Sequence, residues 1–216
     1  MLSRVQALNA ITVGDVIFGL GAGAQEKLLL VYRTDSSSFS ARHVTTQIAY
    51  RFARDGRTRT YADGGYVEIV STARLPADQY DVTLGLDRKS AARPDYPDSI
   101  LSKAEITLLL THPKFFKAQL LPGAEAIVRA ADKLNGVNAI LHREWDPIDA
   151  RDNPPGLREY RDDLPALVAL LEQPASLDGV AAFLSDMAVR KGRTRAVADR
   201  SQAAAASLVQ LRESWV

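Results

Sequence analysis

Cysteine is absent from this chain of 216 residues. Its absence excludes a disulfide framework, a thiolate nucleophile, a cysteine-ligated zinc site and an iron-sulfur cluster. The phosphate-binding motif Gly-x-x-x-x-Gly-Lys-[Ser/Thr] is also missing. Glycines stand at 19, 21 and 23, but a dinucleotide-binding loop has the spacing Gly-x-Gly-x-x-Gly and is followed by a helix. A strand pattern follows here instead, so these glycines predict a hairpin loop.

Long apolar runs are missing as well. No stretch reaches the roughly 18 apolar residues of a membrane span, and the first residues lack the apolar segment of a secretory signal. With 46% hydrophobic and 25% charged residues, the chain can bury a core of one domain or two small ones. We therefore expect a folded bacterial protein of the cytoplasm, without a membrane partner.

The first part of the sequence predicts β-structure. Short apolar and β-branched runs alternate with polar or glycine-bearing turns, which is typical of antiparallel strands. The predicted strands cover residues 14–18, 27–33, 39–52, 58–61 and 66–71. Frequent glycine turns favour a small antiparallel β-barrel or bent sheet over a parallel sheet, and we assign it to a β-domain of residues 1–93.

The pattern changes to helical after residues 94–98, where two prolines predict a linker. Ser102 and Glu105 have the spacing of a capping box and open a helix through residue 110, which His112-Pro113 should end or redirect. Further helices are predicted over 123–143, 157–172, 176–191 and 193–213. The fold class is therefore α+β: residues 99–216 form an α-helical bundle, and the last helix either packs on it or extends as an arm.

His43 is the best candidate for a catalytic or small-ligand group. It lies in a polar run of the predicted sheet, and a general base needs a positioned partner that Thr45, Tyr61 or Asp63 could supply. The alternative is a histidine that is hydrogen-bonded within the sheet or at its edge. Of the two roles, we expect the structural one for His43.

Arginines and aromatic residues alternate in the β-domain, which is the composition of a nucleic-acid platform. A second basic cluster precedes the last helix. The candidate nucleic-acid contacts are Arg42, Arg51, Arg54, Arg57, Arg59, Arg190, Lys191, Arg193 and Arg195. Buried aromatics, solvated arginines and a basic helix C-terminus are the competing interpretation.

Carboxylates recur in the second half, at Asp146, Asp149 and Asp152, with Glu144 just before them. The set lacks the alternate ligands and central glycine of an EF-hand, so we predict no metal and no cofactor. Asp146 before Pro147 has the pattern of a residue that caps backbone amides. Trp145 would then be a wedge between helices.

The segment Glu144-Trp145-Asp146-Pro147-Ile148 resembles a turn in small uncharacterised bacterial helical proteins. In those proteins an acidic-Tyr helix and a further helix follow, as Glu159-Tyr160, Leu170-Leu171 and residues 177–187 do here. The resemblance covers residues 134–191. It implies a bacterial helical fold and no particular reaction.

These patterns together predict a non-enzymatic protein-interaction or regulatory module, with toxin neutralisation as one function of this kind. Residues 94–189 carry 9 Lys/Arg against 15 Asp/Glu, and this excess of acid would steer a charged protein partner. The predicted partner-binding residues are Trp145, if it is exposed, with Glu159, Asp162 and Asp163. Nucleic-acid binding by the arginine-bearing β-domain is the alternative, and an enzyme with a His43-centred pocket is the third hypothesis.

Overall fold

The computed structural model of the chain describes residues 2–55, 58–60, 67–92, 101–146, 160–191 and 198–215. The chain forms two compact units, Met1–Arg129 and Ala130–Val216. The predicted linker 94–98 lies outside the described residues. The division at 129/130 places the helix Lys103–Lys117, which the sequence assigned to the helical domain of residues 99–216, in the first unit.

The elements of the first unit, in chain order, are α1 (Arg4–Asn9), β1 (Val16–Gly21), a 3₁₀ turn (Ala22–Ala24), β2 (Gln25–Thr34), β3 (Ser38–His43), β4 (Ala49–Ala53), β5 (Thr58–Thr60), β6 (Val67–Ser71), α2 (Ala77–Ala92) and α3 (Lys103–Lys117). The six strands form one antiparallel sheet in the order β5-β4-β3-β2-β1-β6.

The sheet is curled into a half-barrel, which confirms the predicted α+β class in its bent-sheet form. β1 and β2 form the hairpin predicted at the glycine-rich loop. The predicted single run 39–52 is wrong, because β3 ends at His43 and β4 begins at Ala49. The turn between them contains Gln47 at φ 58°, a conformation that a continuous strand cannot include.

Side chains alternate between the two faces of the sheet. Ile17 pairs with Leu29, and Ala41 pairs with Val31, which is two residues after Leu29 on the same strand. Ile17, Leu29 and Ala41 therefore share one face. Phe18 lies on the other face and stacks on Phe116 of α3, with ring centroids 5.4 Å apart. Helices of the first unit therefore cover the face that carries Phe18.

Two predictions about the helices of this unit fare differently. The capping box is confirmed: Ser102 Oγ accepts from the Glu105 amide, and the Glu105 carboxylate accepts from the Ser102 amide at 2.7 Å. The predicted helix end at His112-Pro113 is wrong, because α3 continues to Lys117. Pro113 lacks an amide hydrogen and therefore removes one hydrogen bond from the helix. One turn of this part of the helix gains a side-chain hydrogen bond instead, because the His112 imidazole donates through Nδ1 to the Leu108 carbonyl at 3.0 Å.

The division between the units falls within α4 (Glu125–Ile140). In the second unit α4 runs into a π-helical turn, Leu141–Trp145, and the described helices that follow are α5 (Leu164–Leu171), α6 (Leu177–Arg190) and α7 (Ala198–Glu213). Their apolar faces form one core, in which Trp145, Tyr160, Leu184 and Leu208 are fully buried. Across the described ranges, no helix is long and apolar enough to cross a membrane.

Candidate functional site

The first unit has a cleft of about 530 Å³ between α1, the turn that precedes β1 and the segment that follows β6. Pockets of this size accept small molecules or a few side chains. Its walls are mostly apolar and include one cationic and one anionic side chain. The lining residues are Leu2, Ala7, Ala10, Ile11, Val13, Gly14, Asp15, Val16, Ile17, Thr72, Arg74, Leu75, Ala77 and Tyr80.

One wall of the cleft is α1, a helix of six residues. A helix this short is not stable alone in water, so its position depends on its contacts. Ser3 and Gln6 cap its first turn reciprocally. At its other end Arg54 donates to the carbonyls of Leu8 at 2.8 Å and Ile11 at 3.3 Å, and its second nitrogen donates to the Asp35 carbonyl at 2.8 Å.

A second wall is the turn at Gly14, which has φ +94°. Only glycine adopts this conformation without strain. The Gly14 amide donates to the Val31 carbonyl at 2.9 Å, and the Tyr80 hydroxyl donates to the Gly14 carbonyl at 2.9 Å. Tyr80 therefore fixes the start of α2 against the turn and gives the cleft a defined shape.

The two charged residues of the cleft differ in how they are satisfied. The Asp15 carboxylate accepts from the amide of Thr12 at 2.7 Å and from its hydroxyl at 3.2 Å. Arg74 is exposed, and within the described ranges it has neither a hydrogen-bond nor an ion-pair partner. Its guanidinium is thus the cation that this cleft offers to a ligand.

Apolar side chains are exposed around the cleft. Leu2 and Val13, which line it, are 59% and 60% exposed, and Val5 on α1 is 59% exposed. Single exposed apolar residues are normal on a protein surface, but several beside an apolar cleft are typical of an interaction surface.

His43 lies elsewhere, at the end of β3. Its Nδ1 is 2.9 Å from the Thr46 hydroxyl and 3.2 Å from the Thr45 hydroxyl. Burial, together with the smaller effects of the charges of Lys27 and His112, lowers the pKa of His43 to about 4. His43 does not line the 530 Å³ cleft, and Tyr61 lies outside the described residues. This geometry is that of the hydrogen-bonded structural histidine.

The arginines of the predicted nucleic-acid platform make contacts within the first unit. Arg42 binds Asp87 through two hydrogen bonds, Arg51 donates to Ser38 at 3.1 Å and lies 3.6 Å from Asp35, and Arg54 binds the carbonyls given above. Arg57 and the side chain of Arg59 lie outside the described residues. Three of the proposed phosphate contacts are therefore already engaged by the fold.

Trp145 does not meet the condition of exposure that partner binding required. Its side chain is 0% exposed, and its indole nitrogen donates to the Ser201 hydroxyl at 3.0 Å. Its ring packs edge-on against Tyr160, with centroids 5.4 Å apart. A wedge between helices is the role that this geometry gives it.

The neighbouring Asp146 accepts from the Tyr160 hydroxyl through its side chain, and its carbonyl accepts from Arg200. Pro147, which the predicted cap required, lies outside the described residues. The backbone of Asp146 has φ +24°, directly after the π-helical turn. These contacts join the end of that turn to α7.

The predicted acidic and basic surfaces of the second unit meet at Asp163. Its carboxylate lies 3.2 Å from Arg190 and 3.3 Å from Lys191. Asp162 is exposed, whereas Glu159, Arg193 and Arg195 lie outside the described residues. Asp163 is paired with both cations, so these three residues do not form two separate charged surfaces.

Sequence reasoning missed the cleft, because its walls come from segments about 60 residues apart. One local signal was present: Ser3 and Gln6 have capping-box spacing, which indicates the start of α1. Among the residues whose side chains are described, no three His, Asp or Glu residues are grouped as metal ligands would be. Comparisons with protein-family models, curated proteins and solved structures found no match for this chain.

Proposed function

We propose that this chain is a non-enzymatic protein-interaction module and that its first unit binds the partner through the cleft. The observation that carries the proposal is the exposed apolar surface of Leu2 and Val13 at an apolar cleft. Burial of such side chains is the main favourable contribution to most protein association. Binding of this kind suits a regulatory or toxin-neutralising protein of the bacterial cytoplasm.

The cleft is a better interface than the acidic surface of the second unit. Asp163 is paired with two cations, and Trp145 is buried in the core of its own unit. Neither is free to contact a partner without first losing an internal contact. The cleft residues can bind without such a loss, which lowers the cost of association.

A pair of matched valine substitutions tests this proposal. Val13 in the first unit and Val189 in the second are 60% and 58% exposed. We expect Val13→Asp to abolish recovery of a stoichiometric protein partner in a nuclease-treated pull-down from the host organism, while Val189→Asp recovers it like wild type. Circular dichroism should show that both variants keep the wild-type fold.

Equal recovery by both variants would place the interface away from the cleft. If wild type, Val13→Asp and Val189→Asp all recover the partner without nuclease and lose it after nuclease treatment, the result would instead favour the nucleic-acid alternative. In that case binding should also weaken steeply with salt, because phosphate contacts release counterions.

A further inference from the structure

We propose that the cleft accepts a peptide segment of the partner with an apolar side chain next to a carboxylate, and that Arg74 binds this carboxylate. This inference rests on the proposed function, because it names the chemistry of the segment that occupies the same cleft. The apolar side chain and the carboxylate are argued from separate observations.

The apolar requirement follows from the composition of the walls. Leu2, Val13 and Leu75 line the cleft with apolar surface that is open to water, and an aliphatic or aromatic side chain would cover this surface. A polar side chain in this place would lose hydrogen bonds to water without gaining equivalent partners. The cleft therefore selects an apolar residue as the centre of the segment.

The carboxylate requirement follows from the difference between Arg74 and Asp15. Asp15 is satisfied by the amide and hydroxyl of Thr12, whereas Arg74 makes no polar contact among the described residues and is exposed at the cleft. A guanidinium presents paired N–H donors that match the two oxygens of a carboxylate. A cationic ligand group at Arg74 would meet repulsion there, so the position of Arg74 discriminates between acidic and basic side chains.

The cleft is also held in shape before binding. Tyr80 donates to the Gly14 carbonyl at one wall, and Arg54 binds the carbonyls at the end of α1 at another. Little ordering of these walls is then needed when a segment enters, and preorganisation of this kind favours binding of short peptides.

The test is a selection from a displayed library of random peptides on the protein of 216 residues, immobilised through its C-terminal end so that its N-terminal helix α1 is not attached to the support. We expect enrichment of sequences in which an apolar residue stands next to Asp or Glu. The same library is then selected on Arg74→Glu, and the enriched peptides should carry Lys or Arg where the first set carried an acid. Arg88→Glu, an exposed arginine outside the cleft, is the matched control and should give the wild-type motif.

Affinities of one enriched peptide give the magnitude. Exposed ion pairs contribute modestly, so we expect Arg74→Gln to weaken binding about two- to fivefold and Arg74→Glu about tenfold or more. Substitution of the peptide's acid by its amide should weaken wild-type binding by a similar factor and leave binding to Arg74→Gln unchanged.

The outcomes separate the two proposals. Peptides that need Val13 but carry no acid and bind Arg74→Glu as well as wild type would overturn the carboxylate inference and leave the cleft as the interface. Peptides that bind Val13→Asp as tightly as wild type would overturn both. Loss of peptide binding with Val13→Asp, together with enrichment of basic in place of acidic residues on Arg74→Glu, would support both proposals.

Discussion

Arg42 on β3 and Asp87 on α2 form a two-pronged ion pair, with Nε 2.8 Å from Oδ1 and Nη2 2.6 Å from Oδ2. Asp87 is 2% exposed and also accepts from Gln47 at 3.0 Å. Burial alone raises the pKa of Asp87, but the hydrogen bonds from Arg42 and Gln47 and the charge of Arg42 outweigh it and lower the pKa below its ordinary value. The pair therefore stays ionised and joins α2 to the sheet.

Asp87→Asn should lower the free energy of unfolding by about 2 to 4 kcal/mol, because it leaves the partly buried charge of Arg42 without its counter-ion. Asp81→Asn is the control, since Asp81 is exposed on the same helix. Urea unfolding followed by circular dichroism measures both. Equal effects of the two substitutions would contradict a specific role for the pair.

His43 predicts how stability depends on pH. Its folded-state pKa is about 4, whereas an unfolded histidine has a pKa near 6.5. Between these values the unfolded chain binds a proton that the folded chain does not, so stability is complete above about pH 6.5 and decreases as the pH falls towards 4. From pH 7 to 5.5 this group should lower the free energy of unfolding by about 1 kcal/mol.

Two measurements check this prediction. The ¹³C-detected titration of the His43 ring should have its midpoint near pH 4, and His43→Gln should reduce the loss of stability between pH 7 and 5.5. His112 also has a lowered pKa, mainly through burial, so some pH dependence should persist in the variant. A His43 midpoint near 6.5 would show that burial does not act on this ring as described.

The Trp145–Ser201 hydrogen bond predicts a cost in the second unit. Both side chains are 0% exposed, so Ser201→Ala leaves the indole N–H without an acceptor in a dry core. We expect a loss of about 1 to 3 kcal/mol in the free energy of unfolding. Ser185→Ala is the control, because the Ser185 hydroxyl donates only to the Ala181 carbonyl of its own helix. A smaller loss for Ser201→Ala than for Ser185→Ala would refute the buried hydrogen bond.

Two glycines should respond to alanine in opposite directions. A Cβ at Gly19 would lie 2.8 Å from Val67 Cγ1 and 3.2 Å from the Glu68 carbonyl, so Gly19→Ala should destabilise by about 1 to 3 kcal/mol. A Cβ at Gly85 in α2 would meet nothing within 4 Å, so Gly85→Ala should stabilise by about 0.5 to 1 kcal/mol. Midpoints of thermal unfolding rank the two variants against wild type, and a fall with Gly85→Ala would contradict the open space at α2.

The fold could be predicted from sequence where the signal is local. Ser102 and Glu105 determine a helix start through contacts three residues apart, and the β1–β2 hairpin follows from two apolar runs and a short loop. Helix α2 was not predicted, because three of its buried positions, Thr83, Asp87 and Ser90, are polar. Their partners come from tertiary contacts, which apolar periodicity does not report.

The candidate site was less predictable for the same reason. Pro113 is a local signal for a helix end, yet α3 continues through it with Phe116 buried on the next turn. Charge counts along the chain likewise separated Asp163 from Arg190 and Lys191, although the fold brings these cations to 3.2 Å and 3.3 Å from the Asp163 carboxylate. A cleft that combines α1 with residues 72–80 exists only after the sheet has formed.

The contacts of Arg54 with the carbonyls at the end of α1 mean that this wall of the cleft exists only when the first unit is folded. Since this helix is too short to persist by itself, a peptide that fits the cleft recognises the assembled first unit and not the unfolded chain. By mass action, such a peptide at 100 times its dissociation constant would add about 2.7 kcal/mol to the stability of that unit. Under the proposed function, partner binding and folding of the first unit would be coupled, so the amount of free partner would set how long the unit survives against proteolysis.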